Sequence, residues 1–261
     1  MAAASERELA LWEGKIKARI KVAGQGPALV VLHSGYGLIW DESLDRLAKD
    51  FTVYAPEHPG TSEGDPGAIS QLDNLWDLIL YYYEMFDQLG LEAPPVVGHS
   101  FGGMVAAELA ATNPRRVSKL VLINPLGLWR DDAPIKNYMV TPQPELDPLF
   151  FHDQNHPARK LVFMNLEEPD SIIKVSWALA CTGKFIWPIP DKGLRKRTHR
   201  ITAPTLIIWG QQDGLVKPAY AEEFHKLIRG SRVEMVPNAA HMAPLEQPAA
   251  VANLVRDFLA K

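Results

Sequence analysis

Three short apolar runs constrain this chain most: Ala28-Leu29-Val30-Val31-Leu32, Val117 to Ile123, and Thr205-Leu206-Ile207-Ile208-Trp209. A strand that is apolar on both faces must be covered on both faces. That requirement selects a parallel sheet with helices above and below it. The segments between the runs carry helical spacing. Leu72, Leu75, Trp76, Ile79, Leu80, Tyr83 and Phe86 recur at steps of three and four across Leu72 to Leu89. Met104 to Thr112 is alanine-rich and stops at Asn113-Pro114, while Tyr220 to Ile228 and Ala249 to Leu259 also read as helices. Only Lys15 to Val22 alternates charged with apolar residues, as a strand near a sheet edge with one wet face does. The order predicts an antiparallel-type strand pair followed by strand–helix alternation. This is an α/β, doubly wound, mostly parallel sheet.

One stretch breaks the alternation. From Pro125 to about His199 the chain is punctuated by prolines at 125, 134, 142, 144, 148, 157, 169, 188 and 190, with helix-like patches and no buried-strand run. Pro204 then opens a new strand. Long structureless loops are uncommon in compact domains, so residues 126–199 are expected to form a helical cap inserted into a core of residues 1–125 and 200–261. At 261 residues the chain can bury roughly three quarters of its extended surface. It needs no disulfide or structural metal, and Cys181 is its single cysteine. The net charge of −4 gives no electrostatic reason for a nucleic-acid partner. No run reaches the about 18 apolar residues of a membrane span. Met1 to Glu8 does not read as a signal peptide, and the expectation is a soluble cytoplasmic protein.

The chemistry begins at Gly98-His99-Ser100-Phe101-Gly102-Gly103, between the short strand Pro95-Val96-Val97 and the alanine-rich helix. Gly-x-Ser-x-Gly in that setting forms a sharp turn that lifts the serine above the sheet. A serine hydroxyl is a poor nucleophile unless it is exposed and beside a base. For such an elbow the partners follow in the order acid, then histidine. His241 lies in a loop after the strand-like Val233 to Val236 and before the last helix, whereas His225 falls within a helical pattern. The acid candidate is Asp213, in the turn Gly210-Gln211-Gln212-Asp213-Gly214 that follows the third apolar run. The competing position ends the second run, where Asn124 supplies no charge; Asp131 and Asp132 are weaker options. Oxyanion donors are expected from the N–H of Phe101 and from the loop His33-Ser34-Gly35-Tyr36-Gly37, at Gly35 or its neighbour Ser34. Losing one such donor costs about 3 kcal/mol in the barrier. His33 and His99 read as structural rather than catalytic. With no metal-ligand cluster and no phosphate-cradling glycine motif, no cofactor is expected.

Together these residues resemble the α/β-hydrolase fold superfamily. The landmarks are His33 to Gly37, Glu57-His58-Pro59-Gly60-Thr61-Ser62, Gly98 to Gly103, Pro204 to Gly210 with Asp213, and His241 with Glu246-Gln247-Pro248. The resemblance implies an eight-stranded, mostly parallel sheet and a cap inserted after the sixth strand. Two departures stand in the oxyanion loop: Ser34 replaces the usual glycine, and Tyr36 stands where proline is usual. The Tyr36 ring is therefore expected to face the pocket. Dehalogenases and epoxide hydrolases of this fold carry aspartate at the elbow, so Ser100 argues against both.

The resemblance thus implies a serine hydrolase of the carboxylesterase-like branch, acting on a small-molecule ester through an acyl-enzyme. Trp129, Phe150, Phe151, Phe163, Trp177, Phe185 and Trp187 lie in the insertion. Of these, Trp129, Phe151, Trp177 and Trp187 join Tyr36 as expected substrate contacts, although packing of the cap onto the core would use the same residues. The basic cluster Arg195 to Arg200 reads as a solvated helix end. Three alternatives stay open. One is hydrolysis of a carbon–carbon bond in ring-cleavage diketones, disfavoured because Met242-Ala243-Pro244-Leu245 lacks the aromatic residue such enzymes carry after the histidine. Another is a lactonase or perhydrolase, and the last a ligand receptor on a hydrolase scaffold.

Overall fold

The apolar runs pair side by side. A computed structural model describes residues 4–61, 65–162 and 169–261. Phe163, and Ser62 of the Glu57–Ser62 landmark, lie outside the described residues. The strands are β1 (Ser5–Leu11), β2 (Ile16–Ala23), β3 (Ala28–Leu32), β4 (Thr52–Pro56), β5 (Val96–His99), β6 (Leu120–Ile123), β7 (Thr205–Gly210) and β8 (Arg232–Val236). They form one eight-stranded sheet in the order β1-β2-β4-β3-β5-β6-β7-β8. The β1–β2 and β2–β4 pairs are antiparallel, and every later pair is parallel.

The side-chain alternation explains the two-sided apolar runs. Val30 and Leu32 of β3, Leu120 and Leu122 of β6, and Ile207 and Trp209 of β7 pack into one core layer. Leu29, Val31, Val121, Ile123, Leu206 and Ile208 pack into the other. Helices α1 (Glu42–Leu47) and α9 (Pro248–Leu259) cover the second layer; α2 (Leu75–Gln88) and α3 (Phe101–Thr112) cover the first. Strand β6 starts at Leu120 rather than Val117, because Ser118 and Lys119 interrupt the apolar run. Helix α2 starts at Leu75 rather than Leu72: the Asn74 side chain accepts the N–H groups of Trp76 and Asp77 and caps it there.

Between β6 and β7 the chain carries α4 (Gln143–Phe150), α5 (Arg159–Val162) and α6 (Pro169–Ile186), then short 3-10 turns near residues 194–200. Helix α7 (Ala219–Leu227) precedes β8, and α8 (Ala243–Glu246) precedes α9. Among the described residues no helix is long and apolar enough to cross a membrane. The parallel strands point the same way. The loops after β3, β5, β6, β7 and β8 therefore gather at one edge of the sheet, where ligands bind in open α/β sheets.

Candidate active site

Ser100 sits between β5 and α3 with φ 55° and ψ −115°. A non-glycine residue there is strained by on the order of 1–3 kcal/mol. The surroundings over-determine it. Its N–H donates to Ile123 O (2.9 Å), and its carbonyl accepts from Met104 N (3.1 Å) and Leu126 N (3.0 Å). The flanking glycines let the backbones approach. A Cβ on Gly98 would lie 2.3 Å from Gly102 O, and one on Gly102 would lie 2.2 Å from Leu32 O. Ser100 occupies the N-cap position of α3, yet its hydroxyl does not cap the helix. It turns to His241 instead.

His241 Nε2 lies 2.8 Å from Ser100 Oγ, and its Nδ1 lies 2.9 Å from Asp213 Oδ2. All three residues are buried. Asp213 is saturated with donors. Oδ1 accepts from Leu215 N and Val216 N, both at 2.9 Å, and Oδ2 accepts from Asn124 Nδ2 at 2.6 Å as well as from His241. Asn124, just after β6, thus donates to Asp213 from the very position that lacks a charge. The His99 ring donates from Nε2 to the His241 carbonyl (2.8 Å), tying the elbow to the histidine loop. Asp131 accepts from the Trp129 indole, and Asp132 pairs with Arg130 in solvent, so both are committed elsewhere.

The loop His33–Gly37 is held by two histidines, His33 and His58, whose rings meet at 51° with centroids 3.9 Å apart. His33 Nδ1 donates to Ser34 O (2.7 Å), and His33 Nε2 accepts the His58 N–H (2.9 Å). His58 Nε2 donates to His33 O (2.8 Å), and Tyr82 donates its hydroxyl to His58 Nδ1 (2.5 Å). Ser34 is buried, and its Oγ accepts from Tyr36 N at 3.4 Å. Gly35 is pressed against the insertion: a Cβ there would lie 2.9 Å from Tyr138 Oη and 3.2 Å from Thr182 Oγ1. The Phe101 N–H heads α3, where the helix dipole favours negative charge.

Burial keeps these histidines neutral. Chiefly through desolvation, His58 is pushed down to about 4, His99 to about 3, and His33 well below its ordinary range. In the unfolded chain each takes up a proton near 6.5. The folded-state values are depressed, so the stabilisation is present above pH 6.5 and is lost as pH falls towards 3–4. His58 and His99 can each withdraw on the order of 3 kcal/mol when fully titrated. The urea midpoint is therefore expected to hold steady above neutrality and to fall steeply between pH 6.5 and 4. A midpoint flat down to pH 4 would contradict the neutral network.

An open cavity of about 640 Å³ lies between the oxyanion loop and the insertion, with Tyr36, Tyr138, Met139, Leu146, Leu179 and Trp187 in its wall. Tyr36 also packs edge-on against Phe150, which in turn packs edge-on against the His241 ring. Of the five residues expected to contact substrate, Tyr36 and Trp187 line this cavity. Trp129, Phe151 and Trp177 do not line it. Trp129 donates its indole N–H to Asp131, Phe151 is fully buried against His156, and Trp177 donates its indole N–H to Gly60 O (2.8 Å). Phe150 packs against the His241 ring, and Phe185 stacks on Phe101. Tyr138 was not foreseen: its hydroxyl is buried with no hydrogen-bond partner, and desolvation raises its pKa. Among the described residues no group of three or more histidine, cysteine or acidic side chains is arranged to hold a metal ion.

Residues 29–254 match the model of the alpha/beta hydrolase family. The chain belongs to this family. It is 30% identical over 245 residues to the dihydrolipoyllysine-residue acetyltransferase component of the acetoin cleaving system of Cupriavidus necator. That match covers 89% of the chain but only 63% of the relative, so the chain spans less than two thirds of that protein. It is 26% identical over 260 residues to monoacylglycerol lipase abhd6-B of Xenopus laevis, covering 90% of the chain and 76% of the lipase. The fold is that of 2-hydroxy-6-oxo-6-phenylhexa-2,4-dienoate hydrolase from Rhodococcus sp. strain RHA1, with a TM-score of 0.77, 22% identity and coverage of 99% and 100%.

Proposed function

We propose that this hydrolase cleaves carboxylic esters of small molecules through a covalent acyl-enzyme. The observation that carries the reading is the unbroken line from Ser100 Oγ through the His241 ring to Asp213 Oδ2, at 2.8 and 2.9 Å. Ser100 Oγ attacks the ester carbonyl while His241 Nε2 takes its proton. Asp213 holds the imidazole in the required tautomer and stabilises the imidazolium. The tetrahedral oxyanion is received by the N–H groups of Phe101 and Gly35. His241 then gives the proton to the departing alkoxide. A water molecule, deprotonated by the same ring, releases the acid and restores Ser100. No step calls for a cofactor.

In this reading the insertion acts as a cap, and the cavity under it takes one arm of the ester. Its mostly apolar wall, which also carries Thr141, Gln143, Ser176 and Lys184, suits an aliphatic or aromatic group. The unpartnered Tyr138 hydroxyl, beside Gly35, offers a donor to an oxygen of the bound ester. The likeness to a monoacylglycerol lipase supports ester chemistry.

The test combines a fluorophosphonate probe with p-nitrophenyl esters of graded chain length. Labelling of Ser100 with turnover of at least one ester is the expected result, and the chain-length optimum measures the cavity. Labelling without ester turnover would shift the substrate class to lactones or diketones. Absence of labelling would overturn the nucleophile and favour a binding protein.

A further inference from the structure

Glu246 belongs to the Glu246-Gln247-Pro248 landmark, and the reaction above gives it no task. It ends α8 and is buried. Its carboxylate accepts three backbone N–H groups: Ala240 on Oε2 at 2.7 Å, and His152 and Asp153 on Oε1 at 2.8 and 3.1 Å. Ala240 immediately precedes His241. His152 and Asp153 belong to the insertion, just beyond α4. One carboxylate therefore ties the histidine loop to the insertion.

Further contacts run along the same seam. Met242 N–H donates to Phe150 O (3.0 Å), and Gly214 N–H donates to Leu149 O (3.2 Å). The Phe150 ring meets the His241 ring edge-on, with centroids 5.3 Å apart. The segment 149–153 is thus bound to the residues on both sides of His241, through Glu246 on one side and directly on the other. It is also bound to the residue after Asp213. Bonds to an ionised acceptor are about twice as strong as neutral ones. Removing the carboxylate would strand the buried Ala240 N–H and leave the part-buried N–H groups of His152 and Asp153 without their acceptor.

We infer that Glu246 is a positioning residue: it holds the histidine loop against segment 149–153, so that His241 stays in line between Ser100 and Asp213. Segment 149–153 of the insertion is then part of the support of the catalytic base, and any opening of the cap has to leave that segment in place. The inference rests on the reading of His241 as the base. It refines that reading, because a shift of about half an ångström in such a ring is enough to spoil proton transfer.

The test uses Glu246→Ala and Glu246→Gln, with Phe258→Leu in α9 as a control for lost stability remote from the site. Three quantities are measured: kcat and KM on the best ester, thermal stability, and the downfield proton resonance of the His241 Nδ1–H. Glu246→Ala is expected to lower kcat at least tenfold, to move KM less than threefold, and to shift or broaden the resonance. Glu246→Gln falls between, because its amide oxygen keeps one set of donors while its NH₂ opposes the other. Phe258→Leu lowers stability and leaves kcat and the resonance alone. Glu246 variants that behave like this control would overturn the inference. If Glu246→Ala does not fold, Glu246→Gln carries the test. The resonance needs no substrate, so failure to find an ester leaves this test standing and counts only against the ester reading.

Discussion

Ser100→Ala is expected to lower kcat for ester hydrolysis by about 10⁴-fold or more, and to abolish fluorophosphonate labelling, while the protein stays folded. The reasoning separates chemistry from stability. The hydroxyl bonds to His241 Nε2 and does not cap α3. The main-chain bonds that fix the elbow, to Ile123, Met104 and Leu126, do not involve it. Alanine tolerates φ 55° no better than serine, so the strain at the elbow is much the same in both proteins. The expected change in thermal stability is therefore small, within about 1 kcal/mol. Residual turnover should come only from the oxyanion donors and from binding. The check is steady-state hydrolysis of the preferred p-nitrophenyl ester beside a melting curve. Activity above about one hundredth of wild type would move the nucleophile elsewhere. Ser34, whose Oγ accepts from Tyr36 N, is then the next serine to examine.

What could be read in the sequence follows from what burial does to residue choice. Ala28–Leu32 is apolar on both faces because each face feeds a different core layer, and its strand bounds match the run. β1 gave no such signal. Ser5, Glu6, Arg7 and Glu8 lie exposed on the outermost strand, so nothing forces alternation on them. Short β4 and α1 escaped notice for a related reason: a few residues carry too little periodicity. Helix starts depart from the apolar periodicity where caps or glycines decide. α3 begins at Phe101, three residues before the alanine-rich run, because Gly102 and Gly103 are chosen for close approach rather than for helix propensity.

The same logic divides the site. Ser100, Asp213 and His241 stand out because each follows a strand in an order tied to a known turn. Their supports do not. Asn124 reaches Asp213 across 89 positions and Glu246 reaches His152 across 94, and neither partnership leaves a local pattern. The aromatic residues of the insertion illustrate the limit. Trp187 lines the cavity while Trp129 and Trp177 spend their indole N–H groups on Asp131 and Gly60, and composition cannot tell these uses apart.

Asp213→Asn carries the second large effect, a fall in kcat of about 10⁴-fold with the fold retained. The asparagine oxygen can keep the Leu215 and Val216 N–H groups that Oδ1 accepts now. Its NH₂ must then take the place of Oδ2, where two donors already point: His241 Nδ1–H at 2.9 Å and Asn124 Nδ2 at 2.6 Å. Asn124 can answer by turning its amide, since its own Oδ1 is buried without a partner. His241 can answer only by moving its proton from Nδ1 to Nε2. That tautomer donates to Ser100 Oγ instead of accepting from it, and the base is lost while the geometry survives. The observable is a large loss in kcat with an ordinary melting temperature, together with disappearance of the downfield Nδ1–H resonance. Retention of more than a tenth of wild-type kcat would mean that another carboxylate orients the ring. Asp131 and Asp132, the other acids weighed for the role, are held by Trp129 and Arg130 away from the histidine loop. The loss is therefore expected to be close to complete.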